Sequence, residues 1–96
     1  MKALYDSEAN AIEITLADVP RVECDVAAHP CGTVALAGGR PVGVELLDVR
    51  AGVDDAIQAI ADRFGELDIG ALRAAADAAL AVPGRQVDII VTARAA

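Results

Sequence analysis

Cysteine and histidine, the side chains best suited to hold a zinc ion, occur together in one stretch of the chain. Cys24, His29 and Cys31 form a C-x4-H-x-C pattern, and Asp25 could supply a fourth ligand. That spacing matches no common zinc finger. Alternation places Cys24 on the inward face of a strand, where a free cysteine packs like a small apolar side chain, and His29-Pro30 is typical of an exposed turn. The pattern favours a buried thiol and a surface histidine, and we predict no bound metal or cofactor.

A cysteine beside a histidine is also the starting point for nucleophilic catalysis. The sequence offers neither a third group to orient the histidine nor an evident oxyanion site. We therefore predict no catalytic residue and expect the protein not to be an enzyme.

Several carboxylates could be imagined as acid–base pairs. Glu8, Glu13, Glu23 and Asp25 each fall in a turn or on the outward face of a strand, where solvation accounts for a charged side chain. Glu45 differs, because its strand is predicted to be central. We expect Glu45 to pair with an arginine, Arg50 or Arg94, or to lie at an interface.

A glycine-rich turn organises the chain. Gly38-Gly39-Arg40-Pro41 separates two apolar runs and lacks the glycine and lysine order of a phosphate-binding loop, so it predicts a hairpin. The strand that follows, 42–49, carries apolar residues on both faces, which is typical of a central strand. Further strands are predicted by alternation at 2–5, 12–16, 22–26, 33–37 and 86–93.

The spacing of apolar residues changes at Gly52 from a period of two, typical of a strand, to a period of about 3.6, typical of a helix. Val53, Ile57, Ile60 and Phe64 form one helical stripe, and a second helix is predicted from an N-cap at Asp68 to a stop at Pro83-Gly84. The predicted fold is α+β: an antiparallel meander sheet of five to six strands with two helices packed on one face. We expect one domain over 1–96, with a β-meander module at 1–50 and a helix–helix–strand extension at 51–96.

Charge and composition limit the partners. The net charge of −7 disfavours nucleic acid and favours a basic partner protein. No segment has the length of apolar residues that a membrane span needs, and no signal peptide is evident, so we expect a cytoplasmic protein with free thiols.

Self-association is expected because the core is poor in large side chains. Tyr5 and Phe64 are the aromatic residues, and an alanine-rich core buries little area per residue, so a homodimer or other homo-oligomer would supplement it. The candidate interface residues are Glu45, Leu47, Ile90 and Thr92.

Two motifs in the first half carry a family resemblance. The opening YDSEANAIEITL (5–16), followed by GRPVGVELLDV (39–49), resembles the bacterial family called domain of unknown function 2283. The likeness covers about residues 1–50, with Ser7 and Asn10 at positions where that family usually has proline and aspartate. The resemblance implies a small β-rich domain without an established activity, for which antitoxin or partner-binding roles have been suggested.

Three hypotheses for function follow. The favoured one is a non-catalytic protein-interaction domain, antitoxin-like, that binds a basic partner. The alternatives are a small metal- or ligand-binding subunit that uses Cys24, His29 and Cys31, and a purely structural homo-oligomer.

Overall fold

The computed structural model describes residues 1–90 of the 96-residue chain. A short 3-10 turn, Val49–Ala51, separates the strands from the helices. The elements in chain order are β1 (Lys2–Asp6), β2 (Ala11–Thr15), β3 (Cys24–His29), β4 (Gly32–Ala37), β5 (Arg40–Leu46), α1 (Asp54–Arg63), α2 (Ile69–Ala81) and β6 (Val87–Asp88).

The six strands form one antiparallel sheet in the order β3-β4-β5-β2-β1-β6. The predicted α+β fold is confirmed, and β5 is central as expected. The order departs from a continuous meander, because β2 pairs with β5 and not with β3. The chain therefore crosses from β2 to the far edge of the sheet through residues 16–23, and the β3-β4-β5 meander folds back onto β2.

Strand β5 ends at Leu46, three residues before the end of the predicted strand 42–49. Asp48 adopts a left-handed conformation with φ 51°, which an extended strand does not allow. The chain turns there into the 3-10 turn and buries Val49. The prediction that this strand extends to residue 49 is therefore wrong.

The core lies between one face of the sheet and the two helices. Helix α1 packs against β3 and β4, and helix α2 packs against β1 and β2. The largest fully buried side chains are aliphatic, as the composition requires: Ile12, Ile14, Val34, Leu46, Ile57, Ile60 and Leu72.

Glycine at position 32 lets α1 approach β4 closely. A Cβ built there would lie 3.0 Å from Ile60 Cδ1 and 3.3 Å from Ala56 Cβ. Gly32 is buried in the structure. The helix therefore occupies space that any larger residue would fill.

Helix α2 begins as predicted. Asp68 accepts hydrogen bonds from the N–H groups of Gly70 (2.8 Å) and Ala71 (3.2 Å), which satisfies two otherwise unpaired donors of the first turn. Leu72 and three alanines of this helix, Ala75, Ala76 and Ala79, are buried in the core, whereas Leu80 is exposed.

Asn10 connects the β1–β2 turn to the segment after β5. Its φ of 52° is left-handed, which asparagine tolerates better than most residues. Its side-chain oxygen accepts from the Arg50 N–H at 3.1 Å, and its side-chain nitrogen donates to Asp48 Oδ1 at 3.3 Å. The Val49 N–H donates to the Asn10 carbonyl at 3.2 Å, so three contacts hold the two segments together.

The predicted sixth strand extends the same sheet, since β6 pairs with β1 through Val87 and Asp88. The remainder of the predicted strand 86–93, including Thr92, lies outside the described residues after Ile90. Within residues 1–90, no helix has the length and apolar character to cross a membrane.

Candidate functional site

The face of the sheet opposite the helices is open to solvent and carries carboxylates at its centre. Strand register places Glu13 of β2 directly opposite Glu45 of β5, and Glu45 directly opposite Thr33 of β4. The next row towards the β2–β3 loop holds Thr15, Gly43 and Ala35, so small side chains follow the acidic pair.

A depression of about 390 Å³ lies on this open face, and we call it the acidic concavity. Its lining residues are Glu13, Ile14, Thr15, Ala17, Asp18, Val19, Val22, Asp25, Thr33, Ala35, Val42, Gly43, Val44 and Glu45. Four of them are acidic and none is basic.

The wall of the acidic concavity is the crossover from β2 to β3. The N–H groups of Leu16 and Ala17 both donate to the Val42 carbonyl, at 2.9 and 3.2 Å, which turns the chain over the end of β5. Val19 and Val22 then line the depression with 38% and 48% of their surface exposed. The crossover thus adds apolar surface beside the carboxylates.

The floor is low because Gly43 has no side chain. A Cβ at Gly43 would meet Ile14 O at 3.5 Å and Ala35 Cβ at 3.6 Å, which are ordinary contacts. The open side above Gly43 is therefore available space, and the depth of the concavity depends on this residue.

One basic residue stands at the rim. Lys2 Nζ lies 3.7 Å from Asp18 Oδ2, and both side chains are well exposed, so this ion pair contributes little. In the described part of the chain, neither Glu13 nor Glu45 takes part in a salt bridge. The centre of the concavity therefore holds two carboxylates without a cationic partner from residues 1–90.

Such an arrangement can bind a cationic group. Carboxylates accept charge-assisted hydrogen bonds from guanidinium and ammonium groups, and small floor residues leave room for the aliphatic part of such a side chain.

The structure separates two of the candidate metal ligands, Cys24 and His29. Cys24 pairs with Leu36 near one end of the β3–β4 hairpin, and His29 pairs with Gly32 at the other end. Five residues of extended chain correspond to roughly 16 Å, which is too far for a shared ion. No cluster of three potential metal ligands occurs among residues 1–90.

Cys24 is exposed, so the expectation of a buried thiol at this position is wrong. It lies on the predicted face, across from Leu36, but β3 is an edge strand and the core does not cover its first residue. His29 is half-buried at the turn, where its Nδ1 accepts the Cys31 N–H at 3.0 Å. That bond places the proton of a neutral imidazole on Nε2.

The predicted interface residues lie in different parts of the structure. Glu45 lines the acidic concavity, and its predicted pairing with Arg50 is wrong, because the Arg50 guanidinium donates to the Ser7 carbonyl at 3.3 Å. Leu47 is 39% exposed just after β5. Ile90 is 91% exposed. Arg94, the other predicted partner of Glu45, lies outside the described residues.

Glu13 was predicted to be an ordinary solvated residue, and its position opposite Glu45 could not be anticipated. Alternation along β2 predicts that Glu13 points outward, but the pairing of β2 with β5, which brings Glu13 opposite Glu45, comes from strand order. The crossover residues Asp18, Val19 and Val22 belong to no sequence motif that would have indicated their place in the site.

Comparisons of this chain with protein-family models, with curated proteins and with solved structures find no match.

Proposed function

We propose that this chain is a non-catalytic protein-interaction domain that binds a basic segment of a partner protein in the acidic concavity. The observation that carries the proposal is the directly opposed pair Glu13 and Glu45, which lies in a depression to which residues 1–90 contribute four acidic and no basic residues.

The opposed pair costs folding free energy when nothing is bound. Like charges directly opposite one another on neighbouring strands are destabilising, by about 0.2–1 kcal/mol per cross-strand pair. A bound cation would remove that repulsion and add charge-assisted hydrogen bonds to both carboxylates. Sites that break a local rule of stability in this way are where function is expected.

The shape of the site suits a lysine or arginine side chain. Gly43 and Ala35 form a low floor, and Val19 and Val22 supply apolar surface in the wall. The hydrocarbon stem of a basic side chain can pack on such surface while its charged end reaches the glutamates.

The overall charge and the family resemblance also support the proposal. A net charge of −7 attracts basic proteins over long range and repels nucleic acid. The resemblance of residues 1–50 to domain of unknown function 2283 implies a partner-binding, antitoxin-like role. We place this activity in the cytoplasm.

The test is a binding titration followed by fluorescence anisotropy, with a labelled peptide of alternating arginine and threonine as the probe. We expect the double variant Glu13→Gln/Glu45→Gln to lose at least about tenfold in affinity, since two charged hydrogen-bond acceptors are removed. The matched control is Glu8→Gln/Glu66→Gln, which removes the same two negative charges at exposed positions outside the concavity. Equal losses in the two double variants, or no binding to the parent protein, would count against the proposal.

A second experiment identifies the partner in the native host. Purification of the tagged chain should recover a basic protein in stoichiometric amount, and the Glu13→Gln/Glu45→Gln variant should not recover it. Recovery of the chain alone would favour the structural homo-oligomer. Self-association through the exposed Leu47 and Ile90 is a separate prediction, which sedimentation velocity measures.

A further inference from the structure

The far edge of the sheet lies beside the acidic concavity. Strand β3 is the terminal strand, and among residues 1–90 it pairs with β4 alone. The outer backbone N–H and C=O groups of an edge strand are a template for another extended chain. Asp25 of β3 lines the concavity and lies on the open face, since it pairs with Ala35. The edge and the concavity are therefore continuous.

The two faces of β3 differ in chemistry. Asp25 points to the open face. The exposed Glu23 precedes β3, and its N–H donates to the Leu36 carbonyl at 2.9 Å, one residue out of the β3–β4 register. Cys24 and Val26 point to the helix face, opposite Leu36 and Val34. Acidic and apolar positions thus alternate along the edge.

We propose that the partner's basic segment binds as an additional antiparallel strand on the outer edge of β3, with basic side chains at every second position. This inference rests on the proposed function and specifies how the basic segment binds. Backbone hydrogen bonds to β3 would supply affinity, and alternate side chains would supply specificity. A basic residue would face Asp25 across the strands, where neighbouring Cβ atoms are about 4.5–5.5 Å apart.

Two observations define the occupant. A second copy of this chain would bring another acidic edge and another net charge of −7, whereas a basic segment complements the edge. The register of β3 with β4 shifts between Ala27 and His29, and such irregularities block strand addition. Pairing is therefore confined to the part of β3 that carries Asp25, next to the concavity.

The experiment uses the intact protein and a peptide of four arginine–threonine repeats. Amide N–H groups of an extended peptide point alternately to its two edges. One derivative is N-methylated at every arginine and the other at every threonine, so charge and composition match while opposite edges are blocked. We expect one derivative to bind like the parent peptide and the other to bind at least about tenfold more weakly.

Amide hydrogen exchange should show new protection in β3 when the parent peptide binds. The variant Asp25→Asn should weaken binding. Its matched control Asp77→Asn, at an exposed position of α2, should not weaken binding. Equal binding of both N-methylated peptides, still dependent on Glu13 and Glu45, would overturn strand addition and leave the proposed function standing. Absence of binding by every peptide would overturn both. Protection of β3 amides in the free protein together with a dimer in sedimentation would assign the edge to a second copy and overturn the inference.

Discussion

The close approach of helix α1 to strand β4 makes Gly32→Ala the sharpest test of the packing. The added Cβ would lie 3.0 Å from Ile60 Cδ1 and 3.3 Å from Ala56 Cβ, closer than carbon atoms prefer. Ile60 is fully buried, so its side chain has little free space to move into, and Ala56 is attached to the helix backbone. One of the two elements must therefore shift.

The expected cost follows from two opposing terms. Overpacking a filled core costs about 1–3 kcal/mol, while replacing glycine by alanine restricts the unfolded chain and returns about 0.4–1 kcal/mol. The steric term is the larger one, and we expect a net loss of about 1–2 kcal/mol. For a domain of this size that lowers the melting temperature by roughly 4–8 °C per kcal/mol.

The assay is urea and thermal unfolding followed by circular dichroism, with Gly43→Ala as the matched control. The Cβ at Gly43 makes ordinary contacts of 3.5 and 3.6 Å, so Gly43→Ala should lose no stability and should gain about 0.4–1 kcal/mol from restriction of the unfolded chain. Equal effects of the two substitutions would refute the packing argument.

A double-mutant cycle gives an independent check. Ile60→Val removes the Cδ1 atom that the new Cβ would meet, at a cost of about 0.5–1.5 kcal/mol by itself. Gly32→Ala/Ile60→Val should therefore lose less stability than the sum of the two single variants. Strict additivity would show that the two residues do not compete for the same space.

The remaining predictions concern a turn, a helix cap and the acidic pair. Asn10→Ala should cost about 1–2 kcal/mol in urea unfolding, because it strains a left-handed residue and removes the Arg50 contact, and Asn10→Gly should be the less damaging change. Asp68→Ala should cost about 1 kcal/mol and Asp68→Asn only a few tenths, since asparagine keeps the capping oxygen; equal costs would contradict the N-cap. Glu13→Gln should raise stability by about 0.2–1 kcal/mol at low salt and less in 1 M salt. Glu8→Gln in the exposed turn should change nothing, and an equal gain there would indicate a general charge effect.

Much of the local structure is predictable from the sequence because it depends on neighbours in the chain. The N-cap at Asp68, the left-handed Asn10 and the first helix at 53–64 follow from residue type and period, and the structure contains all three. The Gly38-Gly39 turn likewise has positive φ at both glycines. These features need no knowledge of distant residues.

The errors come from contacts between residues far apart in sequence. The exposure of Cys24 depends on β3 being an edge strand. The early end of β5 follows from Asp48, whose left-handed conformation accompanies its contact with Asn10. Alternation along a single strand contains none of this information.

For this protein, the sequence alone determined the α+β class, the central position of β5 and the outward direction of Glu13, because periodicity sets which face a side chain joins. Only the tertiary structure decided that β2 pairs with β5, and therefore that the two glutamates oppose each other above Gly43. The physical reason is that apolar burial drives each strand to place its inward face on the core but does not distinguish among neighbours. Strand order is decided by the packing of the whole sheet on its helices, and the acidic concavity is a product of that order.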